Sequence, residues 1–274
     1  MDLEAVLLAP KLNASALYYK TKLASHNFTI YDLATNDVAV YFWNESEGDL
    51  SASSFVSCVT HFITTLPLNV TELILYSDGC TYQNRNAILA NALISVAKSR
   101  GITITQKYLT KGHTQMECDS VHSTLEQLVR NKPVYSPYSY VDALKSARPK
   151  QPYNVQYITH DFFHDFTHLR HYTSIRPGTQ TGDPVVTNVV CYQYRPDGTA
   201  FYKLDFGDAF KALPKRVTRR SNPGDMDNHD VGWPRLHKGP LPIKGSKFKH
   251  LQELKAVIPM DFHAFYDNLP HGNV

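Results

Sequence analysis

The sequence lacks any hydrophobic run that approaches the roughly 20 residues of a membrane-spanning helix. It also begins without the basic segment and apolar stretch of a secretory signal peptide, so we expect no cleaved leader. The four cysteines, Cys58, Cys80, Cys118 and Cys191, lack the C-x-x-C spacing of a metal or redox motif. We therefore predict an intracellular protein with reduced thiols and no membrane contact.

Charge is sparse and uneven. Charged residues make up 19% of the chain and apolar residues 42%, which is typical of a globular protein. The net charge is +3, but residues 211–255 hold eleven lysines and arginines against four acids, which leaves −4 for the remainder. A basic segment beside an acidic remainder suggests a polyanionic partner, and a solvated basic surface without a partner agrees equally well with the charge alone.

The spacing of apolar residues predicts an α/β fold for the first 150 residues. Runs of β-branched and aromatic residues predict strands, and apolar residues at helical spacing predict helices. The predicted elements are a helix (14–25), a hairpin (27–33 and 37–45), a helix (51–68), a strand (71–78), a helix (84–101), a strand (102–109) and a helix (117–131). This alternation predicts a layered fold with at least part of its sheet parallel.

The residues after 150 are predicted to form an extension of this first domain. Residues 151–213 combine a helix over 160–172 with a hairpin that turns at Pro196-Asp197-Gly198. Residues 214–274 form the third predicted segment, in which 214–245 are rich in proline, glycine and arginine and predict an extended or disordered arm before a final short helix.

Two aspartates occupy positions suited to metal binding. Asp78 ends a predicted strand, and Asp119 begins the helix that follows the next strand. Ligands of open α/β sheets bind beyond the carboxyl ends of the strands, so both side chains can face one crevice. Carboxylates there can hold Mg²⁺, and a pair of ions can hold a phosphate. The structural alternative is that Asp78 caps the following helix and that Asp119 is a favourable N-terminal helix acid.

The motifs around these aspartates resemble a known family. YSDGCTYQNRN and GHTQMECDSVHSTLE resemble the RNase H-like catalytic core of DDE/DDD transposases and integrases. The closest likeness is to a transposase-like domain of long metazoan proteins derived from mobile elements, through MDLE, YYKTKLASHNFTIYD, SDGCTYQNRN and GHTQMECDSVH in the same order. The resemblance covers about residues 1–135 and continues loosely beyond. It implies an RNase H-like mixed sheet flanked by helices, with a C-terminal α+β extension that contains the hairpin.

The resemblance also implies a set of catalytic residues. Asp2, Asp78 and Asp119 would bind two Mg²⁺ or Mn²⁺ ions, and His113 would assist proton transfer or product release. In that fold the first aspartate lies inside the first strand, whereas here one residue precedes Asp2. Asp32, at the end of a predicted strand, is therefore the reserve candidate for the first carboxylate.

Four further polar residues are predicted to support this site. Gln83 and Asn84 can hydrogen-bond the metal ligands or the substrate. His122 and Glu126 follow Asp119 by three and seven residues, so they lie on the same face of the helix and could approach the metals.

Two other groups have both a functional and a structural interpretation. The basic residues are predicted to neutralise DNA phosphates, with a solubilising linker as the alternative; they are Arg216, Arg219, Arg220, Lys244, Lys247 and Lys249. A row of histidines is predicted along one face of the helix over 160–172, where zinc binding is less favoured than packing because no cysteine or carboxylate completes a site; they are His160, His164, His168 and His171.

The sequence thus predicts a transposase- or integrase-like nuclease that performs two-metal cleavage or strand transfer on DNA, in the nucleus. The DNA-binding region that precedes such cores is not in this sequence, which favours a domesticated derivative or an excised catalytic core. The main alternative is a DNA-binding or assembly protein that keeps the fold without chemistry, and a distant third is a zinc hydrolase that uses the histidines. A homodimer or higher assembly is left open.

Overall fold

The protein is described by a computed structural model that covers residues 1–12, 19–110, 112–216 and 232–273. Contacts divide the chain into two compact units, each made of separate stretches. Unit 1 comprises Met1–Asp49, Gln115–Phe163 and His237–Val274, and unit 2 comprises Leu50–Thr114 and His164–Leu236. The division into domains at 1–150, 151–213 and 214–274 is a statement about which segments fold independently, and it stays a prediction.

The described residues form ten strands and six α-helices. The strands are β1 (Asp2–Leu3), β2 (Leu7–Ala9), β3 (Leu23–Tyr31), β4 (Val38–Asn44), β5 (Glu72–Ser77), β6 (Thr103–Tyr108), β7 (Asn154–Tyr157), β8 (Cys191–Tyr194), β9 (Ala200–Lys203) and β10 (Lys211–Ala212). The α-helices are α1 (Ala52–Thr65), α2 (Ala87–Arg100), α3 (Glu117–Val129), α4 (Pro137–Ser146), α5 (Gly245–Leu254) and α6 (His263–Asp267). None of the helices in the described ranges is both long enough and apolar enough to span a bilayer.

The sheet of unit 1 is organised around β3 and β4. β1 and β2 both pair antiparallel with β3, and β3 pairs antiparallel with β4 from Ser25 opposite Asn44 to Tyr31 opposite Val38. The predicted hairpin is therefore confirmed. β7 adds to the free edge of β4 in parallel. Every residue of β4 is buried, which agrees with its apolar run from Val38 to Trp43, because a strand covered on both faces does not alternate apolar with polar residues.

Helices cover this sheet with apolar faces. Val121, Leu125 and Val129 recur every four residues on α3, so they form one stripe, which packs with β4 and α4 in a single core. A second core joins the beginning of β3 to α5 and α6; its buried members are Leu23, Ile243, Leu251, Leu254, Ile258, Tyr266 and Leu269.

Unit 2 has its own mixed sheet. Its strand order is β10-β9-β8-β6-β5, with β5 and β6 parallel and the other pairs antiparallel. α2 begins at Asn86, whose side chain accepts a hydrogen bond from the Leu89 N–H, and ends at Gly101 in the left-handed region at φ 65°. The helix predicted to end at Gly101 and the hairpin that turns at residues 196–198 are both confirmed.

The predicted α/β class with partly parallel sheets is confirmed, but the resemblance implied one mixed sheet and the strand ladders of the described residues form two. The pairing of β4 explains the difference. Its two edges hydrogen-bond to β3 and β7, so no edge of β4 remains for β5.

Two predicted helices are wrong where the structure describes them. In the segment 14–25, Leu23–Ser25 already belong to β3, and residues 13–18 lie outside the described ranges. In the segment 160–172 only His160–Phe162 form a short 3-10 turn. The next backbone donors bond to other segments: the His164 N–H donates to Ser57 Oγ at 2.9 Å and the Asp165 N–H donates to the Pro234 carbonyl at 2.8 Å, so they are not available to a helix.

The predicted arm over 214–245 is packed in its described part beyond residue 231. Trp233 lies against Phe166 with ring centroids 4.7 Å apart. The Leu241 N–H donates to the Ser46 carbonyl at 2.7 Å, and Ile243 is buried. Residues 217–231 lie outside the described ranges.

Candidate metal centre

Asp2, Asp119 and His122 of unit 1 form a cluster of potential metal ligands. One ligand atom from each residue lies within 4.8 Å of the others. Asp2 is on β1, opposite Thr29 of β3, and α3 packs on β3 with Asp119 in its first turn. His122 follows Asp119 by three residues, so the two side chains share one helix face.

Asp119 is held in place by the start of its helix. Its Oδ2 atom accepts a hydrogen bond from the Met116 N–H at 2.7 Å, and an acid in the first turn is favourable to the helix dipole. The structural role that the sequence left open for Asp119 is therefore present. The hydrogen bond from Met116 engages Oδ2 of Asp119 and thereby fixes the orientation of Oδ1.

A chain of hydrogen bonds through two residues of β3 orients the His122 ring. Its Nε2 lies 3.1 Å from Thr29 Oγ1, the Thr29 hydroxyl donates to Asn27 Oδ1 at 3.1 Å, and Asn27 Nδ2 donates to Glu4 Oε2 at 2.7 Å. The single hydroxyl proton of Thr29 points to Asn27, so the Thr29 oxygen accepts from His122 and Nε2 carries the ring proton. The lone pair is then on Nδ1, which is the atom that can bind a cation.

Burial keeps His122 uncharged. It lowers the pKa of His122 from 6.5 to about 4, against a smaller raising effect of the Asp119 charge. The imidazole is consequently neutral near pH 7, which is the form that binds metals. The sequence predicted His122 only as a supporting residue, whereas the structure places one of its ring nitrogens among the ligand atoms.

The far end of the hydrogen-bond chain is a buried acid that the sequence did not reveal. Burial raises the pKa of Glu4 from 4.5 to about 7; the Asn27 hydrogen bond opposes the rise and the Glu126 charge adds to it. The sequence gives only a weak indication of this buried polar row. Ser25, Asn27 and Thr29 occur at every second position of β3, so they share a face of the strand and indicate a polar row beneath α3.

The ligand set is chemically suited to a divalent cation. Carboxylate oxygens suit Mg²⁺ and Mn²⁺, and imidazole suits Zn²⁺ and other transition metals. Two carboxylates with one neutral imidazole therefore fit Mn²⁺ or Zn²⁺ better than Mg²⁺. The three residues would hold such an ion at the junction of β1 and α3.

Asp78 lies in unit 2, immediately after β5. It is half-buried, and its Oδ1 accepts hydrogen bonds from the Cys80 N–H at 3.2 Å and from Asn84 Nδ2 at 2.9 Å. Its Oδ2 has no hydrogen-bond partner among the described residues. Asn84, predicted to support a ligand, does contact Asp78, and one oxygen of Asp78 remains available to a ligand.

The turn after Asp78 is anchored on β6. The Asn84 carbonyl accepts from the Tyr108 hydroxyl at 3.0 Å and from the side chain of Gln106 at 2.5 Å. The Arg85 guanidinium stacks on the Tyr108 ring at 4.1 Å from its centroid. A Cβ atom at Gly79 would lie 2.8 Å from this guanidinium, so the glycine leaves room for Arg85.

The remaining predicted residues have separate environments. Gln83 is buried and donates to the Tyr82 hydroxyl at 3.0 Å, and His113 is exposed in unit 2. Glu126 is exposed on α3. Asp32 accepts a hydrogen bond from the Ala34 N–H at 2.8 Å in the turn between β3 and β4, which is the role of a turn residue.

Two of the predicted DNA-binding cations have intramolecular partners instead. Lys247 pairs with Glu45 at 2.5 Å, and Arg216 donates to the Arg176 and Gly178 carbonyls at 2.9 and 2.8 Å. The Glu45 carboxylate offsets the charge of Lys247, whereas the two carbonyls orient the Arg216 guanidinium without neutralising its charge. Lys244 and Lys249 are exposed, whereas Arg219 and Arg220 lie outside the described residues.

The four histidines do not line one helix face, because the helix is absent. His160 Nδ1 lies 3.2 Å from Glu47 Oε2 in unit 1. In unit 2, His171 Nε2 lies 2.8 Å from Ser95 Oγ, His164 lies near the Trp233 ring, and His168 is exposed. Their contacts are those of individual packing residues.

Comparison with known proteins gave no match: no protein family model matches the chain, and neither a curated protein nor a solved structure resembles it significantly.

Proposed function

We propose that this chain binds a divalent cation through Asp2, Asp119 and His122 and acts on DNA phosphodiester bonds, as a transposase- or integrase-like nuclease with an RNase H-like core. The observation that carries the proposal is the convergence of three ligand atoms within 4.8 Å, one from Asp2 on β1 and two from Asp119 and His122, more than a hundred residues later on α3. The motif resemblance supplies the substrate class, and the α/β fold is compatible with it.

The chemistry of the site supports a phosphate ligand. A divalent cation there would act as a Lewis acid on a phosphate oxygen and lower the pKa of a bound water. The protein's part is to fix the ligand geometry: the Met116 N–H orients Asp119, and Thr29 orients the imidazole of His122. These hydrogen bonds therefore orient Asp119 and His122, two of the three ligand groups, before the cation binds.

We predict that Asp78 takes part in the proposed chemistry. One of its carboxylate oxygens is bound by the following turn and the other is available. The second ion of the two-metal site implied by the resemblance would require a further carboxylate of this kind. Activity of an Asp78→Asn variant decides whether it takes part.

The alternative function is a DNA-binding or assembly protein that keeps the fold without chemistry. It is favoured by the structural hydrogen bonds of the two central carboxylates, since Asp78 stabilises a turn and Asp119 stabilises the start of a helix. Both residues would then persist without any catalytic role.

A cleavage assay separates these functions. Labelled DNA is incubated with Mn²⁺ and either the unmodified chain or Asp2→Asn, Asp78→Asn or Asp119→Asn. Asparagine removes the charge and keeps one acceptor oxygen, which is the number that the structural hydrogen bonds of Asp78 and Asp119 use. The matched control is Asp142→Asn, an exposed carboxylate on α4. We expect the Asp2 and Asp119 variants to lose about a hundredfold or more in rate while the control keeps its activity. Equal rates in all variants would contradict the enzyme proposal, and binding without cleavage would favour the alternative.

A further inference from the structure

A basic groove lies on unit 1 at the opposite end of α3 from the candidate ligands. It has a volume of about 450 Å³ and includes three cationic side chains, Lys11, Lys22 and Arg130, with Glu126 as its acid. A smaller cavity of about 170 Å³ shares Lys11 and Arg130 with it and adds Lys132. We refer to both as the α3 groove.

The cations of the α3 groove belong to three separate backbone segments. Lys11 exchanges two backbone hydrogen bonds with Val134, at 2.8 and 2.9 Å. Lys22 directly precedes the buried start of β3, and Arg130 is the C-cap residue that follows α3. Three separate segments thus place the backbones of these residues around one groove.

Among the described residues, none of Lys11, Lys22, Arg130 and Lys132 forms an ion pair with a carboxylate. This contrasts with Lys247, which is paired with Glu45. The apolar part of the groove includes Leu8, which is 41% exposed, and Tyr140, the one aromatic residue among its described lining residues, is buried and offers no ring on which a base could stack. Such a surface fits phosphate groups better than bases.

One face of α3 connects this groove to the candidate metal centre. Asp119, His122, Glu126 and Arg130 are spaced by three, four and four residues, which keeps them within an arc of about 80° on a regular helix. Arg130 follows Asp119 by eleven residues, which is about 16 Å along the helix axis. That length corresponds to about five phosphates of one strand of B-form DNA, which has one phosphate per about 3.4 Å.

We infer that the α3 groove binds the phosphate backbone of a DNA strand that extends from the candidate metal centre along α3. This inference rests on the proposed function for the identity of the polyanion. It assigns backbone binding to Lys11, Lys22, Arg130 and Lys132 of unit 1, in addition to the basic residues near the C-terminus that the sequence singled out. Glu126 lies between the two ends and would repel a phosphate placed directly against it, which favours a strand that passes on the side of Lys22.

The test is DNA binding by fluorescence anisotropy in EDTA, with a labelled mixed-sequence DNA used as a single strand and as a duplex. The groove variant is Lys22→Ala with Arg130→Ala, and the matched control is Lys145→Ala with Lys150→Ala, which removes the same charge from exposed positions elsewhere on unit 1. We expect the groove variant to lose about 10- to 100-fold in affinity and its salt slope to fall by about 1.4 to 1.8. The control should change less than about threefold.

Two further arms keep the inference falsifiable. Arg130→Lys preserves the charge and should retain most of the affinity, and the circular dichroism melt of each variant should match that of the unmodified chain. Vesicles with equal parts of phosphatidylserine and phosphatidylcholine replace DNA as the second probe. Equal DNA affinities of the groove and control variants would overturn the inference, and so would a groove-dependent binding of vesicles that exceeds that of DNA.

The outcomes separate this inference from the proposed function. Because EDTA removes divalent cations, groove-dependent DNA binding without any Mn²⁺-dependent cleavage would contradict the proposed chemistry and support the groove. Cleavage that requires Asp119 but is insensitive to Lys22 and Arg130 would support the chemistry and contradict the groove.

Discussion

Replacement of the buried acid beneath the candidate metal centre should make the protein more stable at alkaline pH. Glu4 is 4% exposed, its Oε2 accepts from Asn27, and its Oε1 has no hydrogen-bond partner among the described residues. Its pKa rises from 4.5 in a solvated carboxyl to about 7 in the folded protein, chiefly because of burial. The folded state therefore binds a proton more tightly than the unfolded state.

The sign and size of the effect follow from proton linkage. As pH rises through the range from 4.5 to about 7, the unfolded state gives up the Glu4 proton first, so the free energy of unfolding falls. At about 1.4 kcal/mol per pKa unit, the full loss is about 3 kcal/mol above pH 8, and it is less than about 1 kcal/mol at pH 5. Glu4→Gln removes this titration and keeps an acceptor for Asn27.

Urea denaturation, monitored by tryptophan fluorescence, measures the effect. The gain in unfolding free energy from Glu4→Gln over the unmodified chain should be about 2 to 3 kcal/mol larger at pH 8.5 than at pH 5. Any constant cost of the new amide cancels in this difference. Glu72→Gln, at an exposed position on β5, is the control and should show no such difference. A pH-independent effect of Glu4→Gln would refute the interpretation of Glu4 as a buried, protonatable acid.

Three further outcomes are expected. Burial lowers the pKa of both His26 and His122 from 6.5 to about 4, so their joint contribution to the unfolding free energy should fall as pH drops from 6.5 to 4, opposite in sign to the contribution of Glu4. His26→Gln should remove about half of this histidine contribution in a pH series of urea denaturations, and an unchanged slope would contradict the expectation. Thr29→Val breaks the hydrogen bond to His122 and should weaken Mn²⁺ binding about 10- to 100-fold by calorimetry, whereas Thr124→Val on α3 should not. Gly101→Ala should lower the unfolding free energy by about 1 kcal/mol, because the residue has φ 65° and a Cβ atom there meets no neighbour, so that only backbone strain contributes; a neutral result in thermal melts would show that the helix end relaxes.

Local patterns predicted the elements whose signals lie within one segment. The caps of α2 are an asparagine and a glycine at its two ends, and the hairpin between β3 and β4 is separated by a short polar turn. The pairing partners of the strands could not be predicted in the same way. Nothing in the sequence of β4 indicates that its second edge binds β7, a strand more than a hundred residues later, and the prediction of one sheet failed at this point.

The failure at residues 160–172 has a similar origin. The segment carries aromatic residues at helical spacing, but the serines that bind its backbone, Ser53 and Ser57, lie on α1. Likewise, the charge count near the C-terminus could not reveal that Lys247 pairs with Glu45, 202 residues away. Tertiary partners decide such cases, and periodicity does not encode them.

The candidate metal centre was partly accessible to sequence reasoning. The spacing of Asp119 and His122 placed both on one helix face, and the motif resemblance added Asp2. The neutral state of His122 and the hydrogen bonds from Glu4 through Asn27 and Thr29 depend on the packing of α3 over β3, which no single segment specifies.

Direct titration with Mn²⁺, followed by electron paramagnetic resonance of the free ion, tests the central claim that Asp2, Asp119 and His122 together hold a cation. The full chain should bind Mn²⁺, Asp2→Asn, Asp119→Asn and His122→Gln should each weaken the binding at least about tenfold, and Asp142→Asn should leave it unchanged. Equal Mn²⁺ affinity in the unmodified chain and in all three ligand variants would contradict the claim.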